Sequence, residues 1–223
     1  MSIKIFFSAI FKFILGVVLV GLLVFLPAGT LNYLNGWIFM VVLFVPMFIA
    51  GIVMMCVNPS LLISRLDAKE KQKEQNLVIK LSGLMFIAGF IVAGLDYRFT
   101  FIKMDEIVSY IATGVFILGY VLYAIVLKQN TYLSRTIKVQ ENQKVISTGL
   151  YKVVRHPMYS ATLLLFLSMP LILGSLVSFF IFLIYPILIY FRTIEEERFL
   201  IKELEGYEDY LKKVKYRIIP FIW

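Results

Sequence analysis

The chain is poor in the residues that build metal centres and disulfides. It has one cysteine, Cys56, and one histidine, His156, which excludes an intrachain disulfide and argues against a zinc site. Charged residues make up only 16% of the sequence, and no Pro-, Gly- or Ser-rich linker divides it. We therefore predict a single domain over residues 1–223, without a metal. Cys56, inside an apolar run, is expected to be a small buried residue.

Apolar residues, in contrast, make up 61% of the chain. About 20 consecutive apolar residues suffice for a helix to cross a bilayer, and several runs reach that length. The sequence predicts an all-α, polytopic integral membrane protein with four transmembrane helices, at about 5–26, 37–57, 77–95 and 107–127. A C-terminal helical hairpin follows, with short arms at about 158–173 and 176–191 and a turn at Gly174-Ser175. The total is five to six membrane segments.

The net charge of +8 does not indicate a nucleic-acid partner, because the basic residues flank the apolar runs. With the N-terminus inside, twenty of the 22 Lys and Arg residues fall on the cytoplasmic side, all but Arg98 and Lys103. This asymmetry follows the positive-inside rule. It predicts a multi-pass protein whose polar segment 128–157 and charged C-terminal tail both face the cytoplasm.

Polar residues lie directly before and directly after the predicted hairpin, on the cytoplasmic side. Pro157 suits the first position of a helix, which places His156 at the capping position. Histidine is a poor cap, so the first-turn N–H groups are available to an anionic ligand. Because a hairpin brings its ends together, we expect the two polar groups to meet. They are Arg155, His156 and Tyr159 before the hairpin, and Arg192, Glu196 and Glu197 after it.

The same residues carry a family resemblance. The stretch GLYKVVRHPMY, from Gly149 to Tyr159, is followed by an apolar hairpin, by RTIEE from Arg192, and by GYEDY from Gly206. This pattern resembles the membrane-embedded isoprenylcysteine carboxyl methyltransferase and phospholipid methyltransferase family. The resemblance covers about residues 127–220.

The resemblance implies an enzyme that uses S-adenosylmethionine to methylate a lipophilic, membrane-borne acceptor, with a protein-S-isoprenylcysteine O-methyltransferase as the type. It implies a division into N-terminal helices, 1–127, and a methyltransferase-like catalytic region with a cofactor-binding tail, 128–223. Its implied catalytic residues are Arg155 and Arg192. Its implied cofactor contacts are Tyr151, His156, Pro157, Tyr159, Glu196 and Glu197.

Two other functions stay open. Membrane reductases of the sterol and steroid type have a similar C-terminal half but bind NADPH. A membrane scaffold or transporter is disfavoured, because the apolar helices carry almost no charge beyond Lys12 and Lys80. The sequence leaves open the acceptor, the choice of O-, N- or S-methylation and the oligomeric state.

The topology predicts opposite labelling of two introduced cysteines. In a Cys56→Ser background, Lys103→Cys should react with an impermeant maleimide added outside intact cells. Gln140→Cys should react only after the membrane is permeabilised. Labelling of both positions from the same side would contradict the orientation.

Overall fold

The structure, a computed structural model, describes residues 3–66, 73–134, 136–137 and 139–223. It is helical, as predicted. The helices are α1 (Ile3–Ala28), α2 (Leu34–Val57), α3 (Pro59–Leu66), α4 (Lys73–Phe99), α5 (Glu106–Gln129), α6 (Pro157–Ile172), α7 (Leu176–Phe182), α8 (Ile184–Glu203) and α9 (Tyr207–Lys213).

Five segments of the described chain are long and apolar enough to cross a membrane. They are Phe6–Ala28, Leu34–Val57, Gln75–Phe99, Glu106–Gln129 and Leu176–Glu203, and α6 is a shorter apolar helix beside them. Side chains such as those of Leu26 and Phe11, 74% and 67% exposed, lie on the outer surface of this bundle. These findings confirm the multi-pass membrane class and the expected range of five to six segments.

Two local predictions are wrong. The loop expected after α2 begins with helix α3, where Asn58 Oδ1 accepts a hydrogen bond from the Leu61 N–H at its start. The sequence predicts a basic loop over 58–76, of which residues 67–72 lie outside the described residues and 73–76 belong to the start of α4. Cys56 is exposed rather than buried, because it faces outward from α2. In an apolar membrane helix, outward-facing residues meet lipid, so apolar character does not imply burial in the protein.

The predicted hairpin is confirmed, but its second arm is longer than expected. The chain turns at Gly174, whose φ of +77° suits glycine, and α7 begins after Ser175. Only Leu183 separates α7 from α8, so a nearly continuous helical segment runs from Leu176 to Glu203, 28 residues. At ~1.5 Å per residue this is about 42 Å, more than a ~30 Å bilayer core. Its charged end therefore projects beyond the membrane beside the start of α6.

The interior of the bundle is aromatic. Helix α5 lies along α6, and α1 and α7 both lie along α4. Phe182 of α7 contacts Phe86 and Phe90 of α4, with ring centroids 5.5 and 5.9 Å apart. Phe182 is fully buried, so this contact holds the second arm of the hairpin against the N-terminal helices.

A buried carboxylate holds the turn of the hairpin. Asp96, 4% exposed, accepts hydrogen bonds from the backbone N–H groups of Phe101 and Ile102 at 2.9 and 3.3 Å. The Ser175 hydroxyl donates to its other oxygen at 2.6 Å and accepts from the Ser178 N–H at 3.0 Å. Ser175 thus caps α7 and ties the hairpin turn to α4.

We predict that Ser175→Ala lowers the free energy of unfolding by about 1–3 kcal/mol, because it removes a helix cap and leaves a buried carboxylate oxygen short of a donor. The measurement is thermal unfolding in detergent. Ser8→Ala, at an exposed position of α1, is the matched control and should change little. Equal effects of the two substitutions would contradict the role of Ser175.

Candidate functional site

The polar segment enters the site through a sharp turn at Gly149. Gly149 has φ +58° and opens a short 3₁₀ helix, Gly149–Lys152. The Gln129 carboxamide, at the end of α5, accepts a hydrogen bond from the Leu150 N–H at 2.9 Å. A Cβ at position 149 would lie 2.4 Å from that carboxamide. Glycine is therefore needed here both for its backbone conformation and for space.

The segment before α6 pairs with the C-terminal tail. The N–H groups of Arg155 and His156 donate to the carbonyls of Tyr216 and Arg217, at 2.9 and 2.8 Å. Farther along, the Ser160 hydroxyl donates to the Ile218 carbonyl at 2.6 Å. These bonds fix the tail along the entrance of the hairpin.

The Glu197 carboxylate lies at the centre of the site and is 5% exposed. The guanidinium of Arg155 donates to its Oε1 at 2.7 Å, and that of Arg217 to its Oε2 at 2.8 Å. His156 Nε2 lies 3.2 Å from Oε1. A buried carboxylate without such partners would be strongly unfavourable, so this one group joins α8 to the two segments that supply the partners, the entrance of α6 and the C-terminal tail.

A second polar group continues the site along α8. The Tyr159 hydroxyl donates to Glu196 Oε2, and Arg192 Nε donates to the same hydroxyl at 2.9 Å. The rings of Tyr159 and His156 stack, with centroids 5.7 Å apart. The two polar groups therefore form one continuous site across α6 and α8.

Tyrosines of α9 cover one side of this site. The Tyr210 hydroxyl donates to the Tyr151 carbonyl at 2.7 Å. Tyr207 is 4% exposed, and within the described chain its hydroxyl has no hydrogen-bond partner. Burial, with Glu197 and Glu196 nearby, raises the pKa of the Tyr207 phenol far above its usual value, so it keeps its proton. The hydroxyl is therefore a buried hydrogen-bond donor without a partner among the described residues.

A cleft of about 540 Å³ opens beside the Glu197 cluster. One face of α8 and the residues across from it combine charged and apolar side chains. The lining residues are Arg155, Tyr190, Ile194, Glu197, Arg198, Ile201, Leu211 and Arg217. A cleft of this composition suits a ligand with both a charged and an apolar part.

The structure brings most of the residues named from the sequence together. Arg155, His156 and Tyr159 meet Arg192, Glu196 and Glu197 through the contacts above, and Pro157 is the first residue of α6. His156 is its N-cap, and its side chain makes no capping hydrogen bond in the described part of the chain. Tyr151 is the exception, because its hydroxyl accepts from Asn130 at 3.0 Å, in the neighbouring hydrophobic cluster.

Sequence reasoning missed Arg217, Gln129 and Trp223. Arg217 supplies a third partner to Glu197, and its guanidinium lies 5.2 Å from the centre of the Trp223 ring. The only signal in the sequence is a basic residue just before the apolar end IIPFIW. Neither helical periodicity nor a motif places that residue opposite Glu197, since the connection depends on how the tail folds back.

The chain matches one known protein family over part of its length. Residues 107–205, less than half of the chain, match the phospholipid methyltransferase family. The matched segment runs from the start of α5 through the first polar group and the hairpin to the two glutamates. The family resemblance predicted from the sequence is thereby confirmed over that segment, and it supports a membrane methyltransferase.

One curated relative is the Delta(14)-sterol reductase of Mus musculus. It is 32% identical over 91 residues, which are 40% of this chain and 22% of the relative. The chain thus spans about a fifth of the length of that protein. The similarity concerns a part of each protein rather than the whole.

We predict that Gly149→Ala lowers the free energy of unfolding by about 1–3 kcal/mol, because alanine is strained at this φ and would displace the Gln129 carboxamide from Leu150. The check is the unfolding temperature in detergent. Gly83→Ala, a helical glycine of α4 with open space around it, is the control and should be neutral or stabilising. A neutral result at Gly149 would contradict the constraint.

Proposed function

We propose that the chain is an S-adenosylmethionine-dependent methyltransferase that acts on a lipophilic acceptor held in the membrane. The observation that carries the proposal is the family match over 107–205, which includes both arms of the hairpin. In the structure, the polar residues at the two ends of that hairpin meet beside a cleft. Residues 128–223 would form the catalytic region, and we assign its site and C-terminus to the cytoplasmic face.

The residues present fit the proposed cofactor. The cleft volume of about 540 Å³ lies within the usual ~300–1,000 Å³ range of ligand pockets. S-adenosylmethionine has an amino acid part, a ribose diol and a sulfonium, which favour carboxylates and aromatic faces. Within the cleft, Glu197 supplies a carboxylate and Tyr190 an aromatic ring. Glu196 and Tyr159 lie in the second polar group next to the cleft rather than in its lining, and the buried Tyr207 hydroxyl is a hydrogen-bonding group without a partner in the described residues.

The two glutamates are assigned different tasks. Glu197 is already held by Arg155, Arg217 and His156, so we assign it to the positioning of these groups. Glu196 carries a hydrogen bond from Tyr159 on Oε2, and we assign its other oxygen to the cofactor. Arg192, which donates to the Tyr159 hydroxyl, then orients that ring and carboxylate together.

We assign Tyr151 and Pro157 to the positioning of other residues of the site. Pro157 begins α6 and gives its first turn the direction that places Tyr159 at Glu196. The Tyr151 carbonyl holds Tyr210 of α9. Through this bond α9 would close the proposed cofactor side of the site and exclude water.

The cofactor would supply an activated methyl group on a positively charged sulfur. The protein's task is then alignment and exclusion of water more than acid–base chemistry. Arg155 is the candidate to orient a negatively charged part of the acceptor, because it lines the cleft as well as contacting Glu197. An isoprenylcysteine-type carboxylate would use such a group directly. A phospholipid-type amine would need to be neutral, which a site of low polarity favours.

A second candidate function is an NADPH-dependent membrane reductase of the sterol type. The similarity to the Delta(14)-sterol reductase favours it, although that similarity spans only 22% of the relative. The two candidates differ in their cofactor, so the binding of S-adenosylmethionine and of NADPH to the purified protein separates them. Binding of NADPH alone would overturn the methyltransferase proposal.

We predict that Glu196→Gln weakens S-adenosylmethionine binding by about 1.5–3 kcal/mol, the scale of a hydrogen bond to a charged group, and leaves the unfolding temperature nearly unchanged. Glu197→Gln should lower both, because it breaks a buried ion pair. The measurements are isothermal titration calorimetry and thermal unfolding in detergent.

Glu195→Gln is the matched control for this series. Glu195 forms a surface pair with Arg198, whose side chain is 67% exposed, so its loss should stay within about 0.5 kcal/mol in both measurements. If the three substitutions have equal and small effects on binding, the site assignment is wrong.

A further inference from the structure

Residues 219–222 expose a large apolar surface next to the polar Glu197 cluster. Phe221 is 86% exposed, Ile222 77% and Ile219 42%. They follow directly on the segment that carries Arg217 into the Glu197 cluster. Exposed apolar side chains in such a group indicate a partner that covers them.

This end of the chain is held in place. Ile218 is 2% exposed, and its carbonyl accepts a hydrogen bond from the Ser160 hydroxyl of α6. The N–H groups of Ile218 and Ile219 donate to the Trp223 carbonyl at 3.0 and 3.1 Å, which closes a compact turn. The outward direction of Phe221 and Ile222 is therefore set by the turn between two anchored ends.

The backbone of Phe221 adds a second observation. Its φ is +65°, a conformation in which a residue with a large side chain is strained and glycine is not. The ring gains little burial within the protein in return, because it is 86% exposed, although it contacts Tyr216 at a centroid distance of 5.3 Å. Burial of this ring by a partner outside the chain would offset the strain.

The position of Tyr190 along α8 indicates how deep this turn lies in the membrane. The Trp223 ring stacks on Tyr190 of α8, with centroids 5.0 Å apart. Tyr190 is 14 residues beyond Leu176, where the membrane span begins, so it lies roughly 21 Å along a span that crosses a core of ~30 Å. Its neighbours Ile187 and Phe191 are each 57% exposed on the lipid-facing surface of α8. Tyr190 also lines the cleft, so the turn lies where the cleft meets this exposed apolar surface of α8.

We propose that residues 218–223 form a membrane-interface anchor, with Phe221 and Ile222 inserted into the headgroup and upper acyl region of the bilayer. The partner is the lipid itself, because the turn lies against the lipid-facing side of α8. Aromatic residues such as Trp223 and Tyr190 favour this boundary. The anchor would hold Arg217 at the polar level directly above the lipid surface, next to Glu197.

Depth-dependent quenching of fluorescence tests the anchor. The chain has two tryptophans, Trp37 and Trp223, and replacing both with phenylalanine leaves a background in which Phe221→Trp supplies a single reporter. In nanodiscs, where both faces are accessible, lipids brominated near the carbonyl end of the acyl chain should quench its emission. Iodide in the buffer should have little effect.

Two reporters calibrate the result. Ile187→Trp, on the lipid-facing surface of α8, should be quenched by brominated lipid, and Glu208→Trp, exposed on α9, by iodide. If Phe221→Trp behaves like Glu208→Trp, the turn lies in water and the proposal is wrong. Shielding from both quenchers would place the turn against another protein surface, such as a second copy of the chain, and would also overturn it.

Ile222→Trp is a second reporter in the same background, for use if Phe221→Trp does not yield folded protein. It is 77% exposed and should give the same pattern. The readout does not depend on methyl transfer, so the test of the anchor is independent of the proposed enzyme activity.

Discussion

The structure at the polar end of the hairpin depends on one buried negative charge, that of Glu197, and on the partners that compensate it. A carboxylate removed from water is stable only with cationic or hydrogen-bonding partners close by. For Glu197 these partners come from two other parts of the chain: Arg155 and His156 immediately before α6, and Arg217 in the tail. Hairpin entrance, hairpin exit and C-terminal tail are therefore tied together at one point. The cleft beside that point is bounded by the same three segments, so the arrangement that satisfies the charge also shapes the candidate site.

The opposite end of the hairpin is held by the same principle. Asp96 is buried, and its partners are two backbone N–H groups and the Ser175 hydroxyl at the turn. Between these two carboxylates the contacts of α4, α5, α6 and α7 are mainly apolar and aromatic. Lipid is as apolar as these side chains, so the hydrophobic effect contributes little to the choice of neighbours among membrane helices. The contact between Asp96 and Ser175 therefore adds a directional link to the aromatic packing of Phe182 in fixing the hairpin against α4.

The arrangement of the site is consistent with the proposed chemistry. Methyl transfer from an activated donor requires alignment of the reacting groups, and a rigid network of charges provides it. Glu196, Tyr159 and Arg192 form such a network on the face of α8 next to Glu197. The proposed anchor at Phe221 and Ile222 would keep this network at a fixed distance from the lipid in which the acceptor dissolves.

The sequence by itself determined the membrane class, the hairpin with its Gly174-Ser175 turn and the meeting of the two polar groups at the ends of the hairpin. These follow from the length of apolar runs, from turn residues and from a local motif, all of which are properties of neighbouring residues. Only the tertiary structure decided that α8 continues to Glu203, that Cys56 faces outward and that Arg217 joins Glu197. The reason is physical: a charged residue can be stable in water or in an ion pair, and its neighbours in sequence do not reveal which. That choice is made only when the chain folds back and brings a distant partner within reach.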